Sequence, residues 1–174
     1  QIKCKAVSIS YQTLNNNRPD TLLKQRENWE RDTKPLEDID WEAAFMHPRV
    51  VAIKSRLRLI QLKILHRYYS DRKCLFQMGR YQSATCLRCG EWEGTFIHTL
   101  WQCPRIQNYW ELIFWELARV LEVTVPLDPW FVLPGIPNDA DIPHLKLLFC
   151  SLGLIVAKRD VARLWGAPES PTLE

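Results

Sequence analysis

Cys86-Leu87-Arg88-Cys89, then His98, then Cys103-Pro104 put three thiols and one imidazole within eighteen residues. Thiolate and imidazole are the donors that Zn²⁺ prefers, and a Cys-x-x-Cys turn delivers two sulfurs to one ion without strain. Cys86, Cys89, His98 and Cys103 therefore read as a complete tetrahedral set for one Zn²⁺. Four protein ligands leave no coordination position for water or substrate, so the expected ion is structural and not catalytic. Gly90 directly follows the second Cys, where the backbone must reverse. A zinc deaminase needs a His-x-Glu ahead of a Pro-Cys-x-x-Cys. Here the Cys-x-x-Cys comes first and no His-x-Glu occurs.

Two segments must position this knuckle. Before it, residues 49–69 are expected to form one long basic helix. Val50, Ile53, Leu57, Ile60, Ile64 and Tyr68 recur at intervals of three and four, a single apolar stripe. Arg49, Arg56, Lys63 and Arg67 make a second stripe beside it, with Lys54 and Arg58 on the other flank. Leu75, Phe76 and Met78 are expected to pack beneath the knuckle, and Glu91-Trp92-Glu93 to form the tip of its loop. After the knuckle, Pro104 starts the clearest helix, with Ile106, Tyr109, Trp110, Ile113, Phe114, Leu117, Val120 and Leu121 on one face. Those aromatics read as core.

The remaining elements follow from their punctuation. Pro19 to Asp32 reads as a helix that Pro35 ends, and a shorter one runs from Ile39 or Asp40 to Met46, stopped by His47-Pro48. Residues 1–17 are a lead-in without firm structure. Five prolines and Gly135 between 124 and 143 predict an irregular crossover in which Trp130-Phe131-Val132-Leu133 plugs the core. A last helix is expected from Asp141 to Trp165, its first three turns buried and Lys158, Arg159 and Arg163 emerging. The predicted fold class is thus mainly α, a helical domain with a small Cys-Cys-His-Cys zinc knuckle between two long helices. Residues 1–48 form an upstream arm, 49–166 the domain, and 167–174 a frayed tail.

Charge narrows the partners. The chain carries +3 overall, but residues 49–105 hold 11 Lys/Arg against 3 Asp/Glu. No acid lies between Val50 and Ser70. A solvated helix face would account for some of this, yet surfaces built for solubility mix both signs. A polyanion, with nucleic acid foremost, is the expected partner. Arg49, Arg56, Lys63, Arg67, Arg88 and Arg105 are the candidate phosphate contacts, and Trp92 the candidate base-stacking side chain. The longest apolar run, Leu147 to Ala157, is too short to cross a bilayer. No secretory signal is evident, and Cys4, Cys74 and Cys150 are scattered, so a reducing intracellular compartment, nucleus or cytoplasm, is expected. The chain starts with Gln1 and not Met, as a piece of a longer protein would.

Three runs carry a family resemblance: Gln61-Leu62-Lys63-Ile64-Leu65-His66-Arg67-Tyr68-Tyr69, the knuckle with Gly90, and the stretch from Glu93 through His98, Cys103 and Pro104 to Trp110. Together with Asn28-Trp29-Glu30-Arg31-Asp32 and the final Trp165 to Glu174 region, they resemble the carboxy-terminal zinc-binding segment of the polyprotein of vertebrate non-LTR (LINE-type) retrotransposons. The resemblance spans roughly residues 25–174. It implies a non-catalytic segment that binds nucleic acid, RNA or an RNA–DNA hybrid, beside an upstream reverse transcriptase domain. Polymerase chemistry in that family needs adjacent aspartates, and no Asp-Asp pair occurs here. An element fragment and a host gene derived from one both fit. The alternative expectation is a structural module that packs on a polymerase domain or host partner.

Overall fold

Helix boundaries follow the residues able to cap them. In the computed structural model, which describes residues 21–33, 39–125, 127–135 and 142–172, seven helices are present. They are α1 (Thr21–Thr33), α2 (Trp41–Val51), α3 (Ser55–Leu65), α4 (Arg72–Gln77), α5 (Pro104–Leu121), α6 (Pro129–Val132) and α7 (His144–Arg163). One π-helical turn, His98–Gln102, leads into α5. Asp40, Asp71 and Asp128 each accept a hydrogen bond from an amide in the first turn of α2, α4 and α6, satisfying donors that have no partner within the helix. Pro104 opens α5, where its missing N–H costs nothing. Extended pairing among the described residues is confined to one isolated bridge, Thr85 to Glu93. The fold is mainly α, with the Cys/His cluster between helices.

Helix α7 is the axis of the core and packs on α2, α3 and α5. Its positions Cys150, Leu154, Ala157 and Val161 repeat at four and three and are all buried. Trp29, Ile64, Leu100, Ile106, Trp110, Phe131 and Leu133 join the same cluster. Each such side chain contributes roughly 1.5–3 kcal/mol on burial. Two tryptophans that would otherwise bury a bare N–H are satisfied: Trp29 Nε1 donates to the Leu65 carbonyl and Trp110 Nε1 to that of Leu100, both at 2.9 Å. The α5 face meets expectation for Ile106, Tyr109, Trp110 and Phe114, while Val120 is exposed. Phe131, Val132 and Leu133 plug the core as expected.

Several expectations are corrected. His47-Pro48 does not end α2, which carries Pro48 inside it and continues to Val51. Burial of Pro48 and Val51 compensates for the ladder bond that proline cannot make. The single basic helix over 49–69 is two helices with an elbow at Ala52–Lys54. Ala52 is extended and fully buried, its N–H donates to the Pro48 carbonyl, and its own carbonyl accepts from Arg58 Nε. Arg49 therefore belongs to α2 and Arg56 and Lys63 to α3, and Arg67 lies beyond the end of α3. The apolar stripe is broken as well: Ile64 is buried, but Val50, Ile53 and Tyr68 are exposed.

Phe76 and Met78 also face outward and do not pack beneath the knuckle. At the start of α7, Leu145 and Phe149 are exposed, whereas Lys158 is buried and Arg159 and Arg163 are exposed. The frayed tail is docked through residue 172, with Pro171 buried and the Glu169 carbonyl held by Arg88. The proposed boundary after residue 48 falls within α2, and Trp29, Trp41 and Ala44 share the main core. The lead-in over 1–17, the Pro19 start, the Pro35 stop and the Asp141 cap lie outside the described residues.

Candidate metal centre

Cys86 enters the knuckle from the Thr85–Glu93 bridge, its N–H donating to the Trp92 carbonyl at 2.7 Å. The chain then turns through Leu87 and Arg88 to Cys89. Gly90, at φ +74°, donates its N–H to the Cys86 carbonyl at 2.9 Å and completes the reversal that a Cβ would strain. Gly94 is needed for a different reason: a Cβ there would come within 2.7 Å of the Arg72 Cβ and 3.2 Å of the Cys86 Cα. The π-helical turn supplies His98, whose N–H bonds to Thr95 Oγ1 and whose carbonyl accepts from the Cys103 N–H. Cys103 sits immediately before α5, with Pro104 at the first helical position.

The four ligand atoms lie within 4.8 Å of one another. Cys86 Sγ and Cys103 Sγ are 3.9 Å apart, and Cys89 Sγ and His98 Nε2 are 3.4 Å apart. A tetrahedron built on metal–sulfur bonds of about 2.3 Å and a metal–nitrogen bond of about 2.05 Å has edges of about 3.8 and 3.6 Å. The sulfur separation is far beyond the roughly 2.05 Å of a disulfide. The predicted ligands are thus brought together in a geometry suited to one metal ion, with Cys86, His98 and Cys103 buried and Cys89 half-buried.

The electrostatics favour the ligand forms unevenly. For Cys89, burial pushes the thiol pKa up, but backbone N–H groups of Glu91 and Trp92 and the neighbouring cysteines bring it below its ordinary value. Burial chiefly, with the other thiols, raises Cys103 to about 11, so an arriving cation must displace that proton. Burial, then the Arg88 charge, lowers the His98 pKa and keeps its imidazole neutral, as a ligand requires. Three thiolates around a divalent ion leave one net negative charge. Arg88 answers it: burial lowers its pKa, and the charges of Cys86 and Cys103 act in the opposite direction.

The expected nucleic-acid contacts separate into two groups. Arg49, Arg56, Arg105 and Trp92 are exposed, Trp92 at 62% of its surface, and Lys63 is half-exposed with Nζ 5.0 Å from the Tyr68 ring. Arg67 and Arg88 are internal and are withdrawn as contacts. Arg67, in the left-handed region at φ +50°, pairs with Asp32 at 2.6 Å and lies over the rings of Trp29 and Phe96. Arg88 donates to the carbonyls of Thr99, Leu164 and Glu169 at 2.7, 2.8 and 3.2 Å. It ties the knuckle to the end of α7 and the tail.

Two functional cues escaped the sequence reading. Lys54 is exposed at the elbow and belongs with the accessible cations. Lys158 belongs to the core, a placement visible in its spacing from Ser151, Leu154 and Val161 on one buried face of α7. Nothing in the local sequence signals the elbow, because the three-and-four periodicity runs straight across it. No helix among the described residues is long and apolar enough to cross a membrane. No family model matches this sequence.

Proposed function

We propose that this chain is a zinc-stabilised nucleic-acid-binding module, preferring RNA or an RNA–DNA hybrid, and that it corresponds to the non-catalytic carboxy-terminal segment of a retrotransposon reverse transcriptase. The observation that carries the binding reading is the α2–α3 elbow. Arg49, Lys54 and Arg56 are exposed there, and no ion pair engages them among the described residues. Elsewhere Arg26, Arg31, Arg67, Lys73, Arg119, Arg159 and Arg163 are paired with acids. Unpaired cations in a run that carries no acid from Ala43 through Ser70 attract phosphates and release counterions on binding. Lys63, Arg105 and Trp92 extend the candidate surface.

Zn²⁺ on Cys86, Cys89, His98 and Cys103 would cross-link the knuckle to the start of α5. With four protein ligands, its role is architectural and no catalytic step is assigned to this chain. The elbow rests on Val51, Ala52 and Ile155, a small cluster separate from the one that holds the metal ligands. The metal therefore braces the knuckle and tail, and α7 braces the elbow.

Fluorescence anisotropy of the metal-loaded chain with single-stranded RNA, duplex DNA and a hybrid, at two salt concentrations, tests the reading. The Arg49/Lys54/Arg56→Ala triple variant is expected to lower the salt slope by about 2–3. Arg67→Ala is expected to destabilise the fold by about 1–3 kcal/mol by removing its bond to Asp32 and its packing over Trp29 and Phe96, without changing that slope. Salt-independent binding, or no binding to any of the three, would refute the reading.

The alternative, a module that packs on a polymerase domain or host protein, is favoured by a different observation. Leu112, Trp115 and Val120 on α5 are exposed by 50, 63 and 60%. An apolar strip of this kind suits a protein partner.

A further inference from the structure

Ile53 has 92% of its surface exposed, more than any other large hydrophobic side chain described, and neighbouring Val50 has 68%. A single exposed aliphatic residue needs no explanation. This one stands at the bend of the elbow, flanked in the chain by Arg49, Lys54 and Arg56, with no acid from Ala43 through Ser70. Its backbone support is fixed. Ala52 is fully buried, Val51 and Ile155 pack with it, and the Ala52 N–H and carbonyl are both engaged, by the Pro48 carbonyl and Arg58 Nε. The bend thus holds a branched apolar side chain out from a buried base, with exposed cations before it (Arg49) and after it (Lys54, Arg56) in the chain.

We infer that Ile53 is an apolar wedge that enters an unstacked base step of bound RNA, while Arg49, Lys54 and Arg56 hold the flanking phosphates. The inference rests on the nucleic-acid reading above and adds the RNA feature that the elbow would select, a bulge or a junction. Physical chemistry favours that class of target. Aliphatic wedges pay the cost of unstacking by filling the gap between bases, and the cost is least where a base is already unpaired. A fully extruded side chain on a pre-formed bend loses little conformational freedom when it inserts. The β-branched side chain, stiff at χ1, strengthens this.

The test uses the metal-loaded chain and an RNA hairpin carrying 2-aminopurine beside a one-nucleotide bulge, the same hairpin without the bulge, and inorganic polyphosphate as a base-free polyanion. Wild type is expected to raise 2-aminopurine fluorescence on the bulged hairpin and to prefer it over the paired one. Ile53→Ala should abolish the fluorescence rise and weaken bulged-hairpin binding by about tenfold, while polyphosphate binding changes less than about twofold. Ile53→Phe should retain the rise. Ile53 is exposed, so thermal melting of Ile53→Ala should match wild type, and a lowered melting point would overturn the argument. Full retention of the fluorescence rise by Ile53→Ala would overturn the wedge and leave the binding reading standing. An equal loss on polyphosphate would overturn it too, because no base is present. No binding of wild type to either hairpin or to polyphosphate would overturn both.

Discussion

Replacing Lys158 by methionine should flatten a pH dependence of stability that the wild type carries between about pH 7 and pH 10.5. Lys158 lies on the buried face of α7, and its Nζ donates to the Val132 carbonyl at 2.6 Å and the Leu133 carbonyl at 3.5 Å. Burial lowers its pKa from 10.5 to about 7. Within that window the folded chain holds Lys158 neutral, whereas the unfolded chain binds a proton. Stability therefore rises with pH across it. Below pH 7 both states carry the charge, and above 10.5 neither does, so the contribution is level outside the window.

A shift of that size corresponds to about 5 kcal/mol. A rise of about 5 kcal/mol is therefore expected across the window, and methionine, of similar length and without charge, should remove it. At the alkaline end the variant should be the less stable by about 1 kcal/mol, because the Val132 carbonyl loses its donor.

The assay is urea unfolding of the metal-loaded protein, followed by tryptophan fluorescence from pH 7 to 10.5, with the two proteins compared at each pH. Burial raises Cys150 to about 11 and Tyr109 to about 12, and both act in the opposite sense. They are common to both proteins and cancel in the difference. His47, which faces Lys158, titrates at about 4 through burial and the Lys158 charge, below the window. A wild-type-minus-variant difference constant to within about 0.5 kcal/mol would refute a buried Lys158.

Two further outcomes bear on the metal centre and the tail. Titration with Co²⁺ should give one equivalent with the visible absorption of a tetrahedral thiolate-rich site. Chelation or Cys89→Ser, removing roughly 10–16 kcal/mol of binding energy, should expose residues 75–110 to amide exchange while α7 keeps its protection. Protection retained through Cys86–Cys103 without metal would contradict the site. Arg88→Ala should lower stability by about 2–4 kcal/mol by freeing three carbonyls, and Arg88→Lys should not restore it, since one ammonium cannot span Thr99, Leu164 and Glu169. Equal melting temperatures for wild type and Arg88→Ala would rule out that anchor.

The metal set was legible because its signal is local. A Cys-x-x-Cys, a His and a Cys at short separations bring their donors together through turns that the same residues encode, and Gly90 takes the left-handed conformation its position required. Helix α5 was legible for a related reason: Pro104 marks its start and the aromatic face repeats over its length. The arginines were not legible by type. Arg56, Arg67 and Arg88 are equivalent as letters, yet Arg56 faces solvent, Arg67 meets Asp32 across 35 positions, and Arg88 meets Glu169 across 81.

Sequence by itself determined the helical class, the four metal-ligand candidates, the core face of α5 and the density of positive charge before the knuckle. These depend on spacing within a few turns of chain, where backbone geometry dictates which side chains share a face or a turn. Tertiary structure alone decided where the basic segment bends, which of its cations remain available, and that Ile53 is exposed. Those outcomes depend on what α7 offers at each contact. It draws Ala52 into a buried extended conformation and leaves the next residue in water. Continuous periodicity cannot encode a break when the gain from burying one alanine and its neighbours, summed over distant partners, exceeds the few hydrogen bonds that a longer helix would have kept.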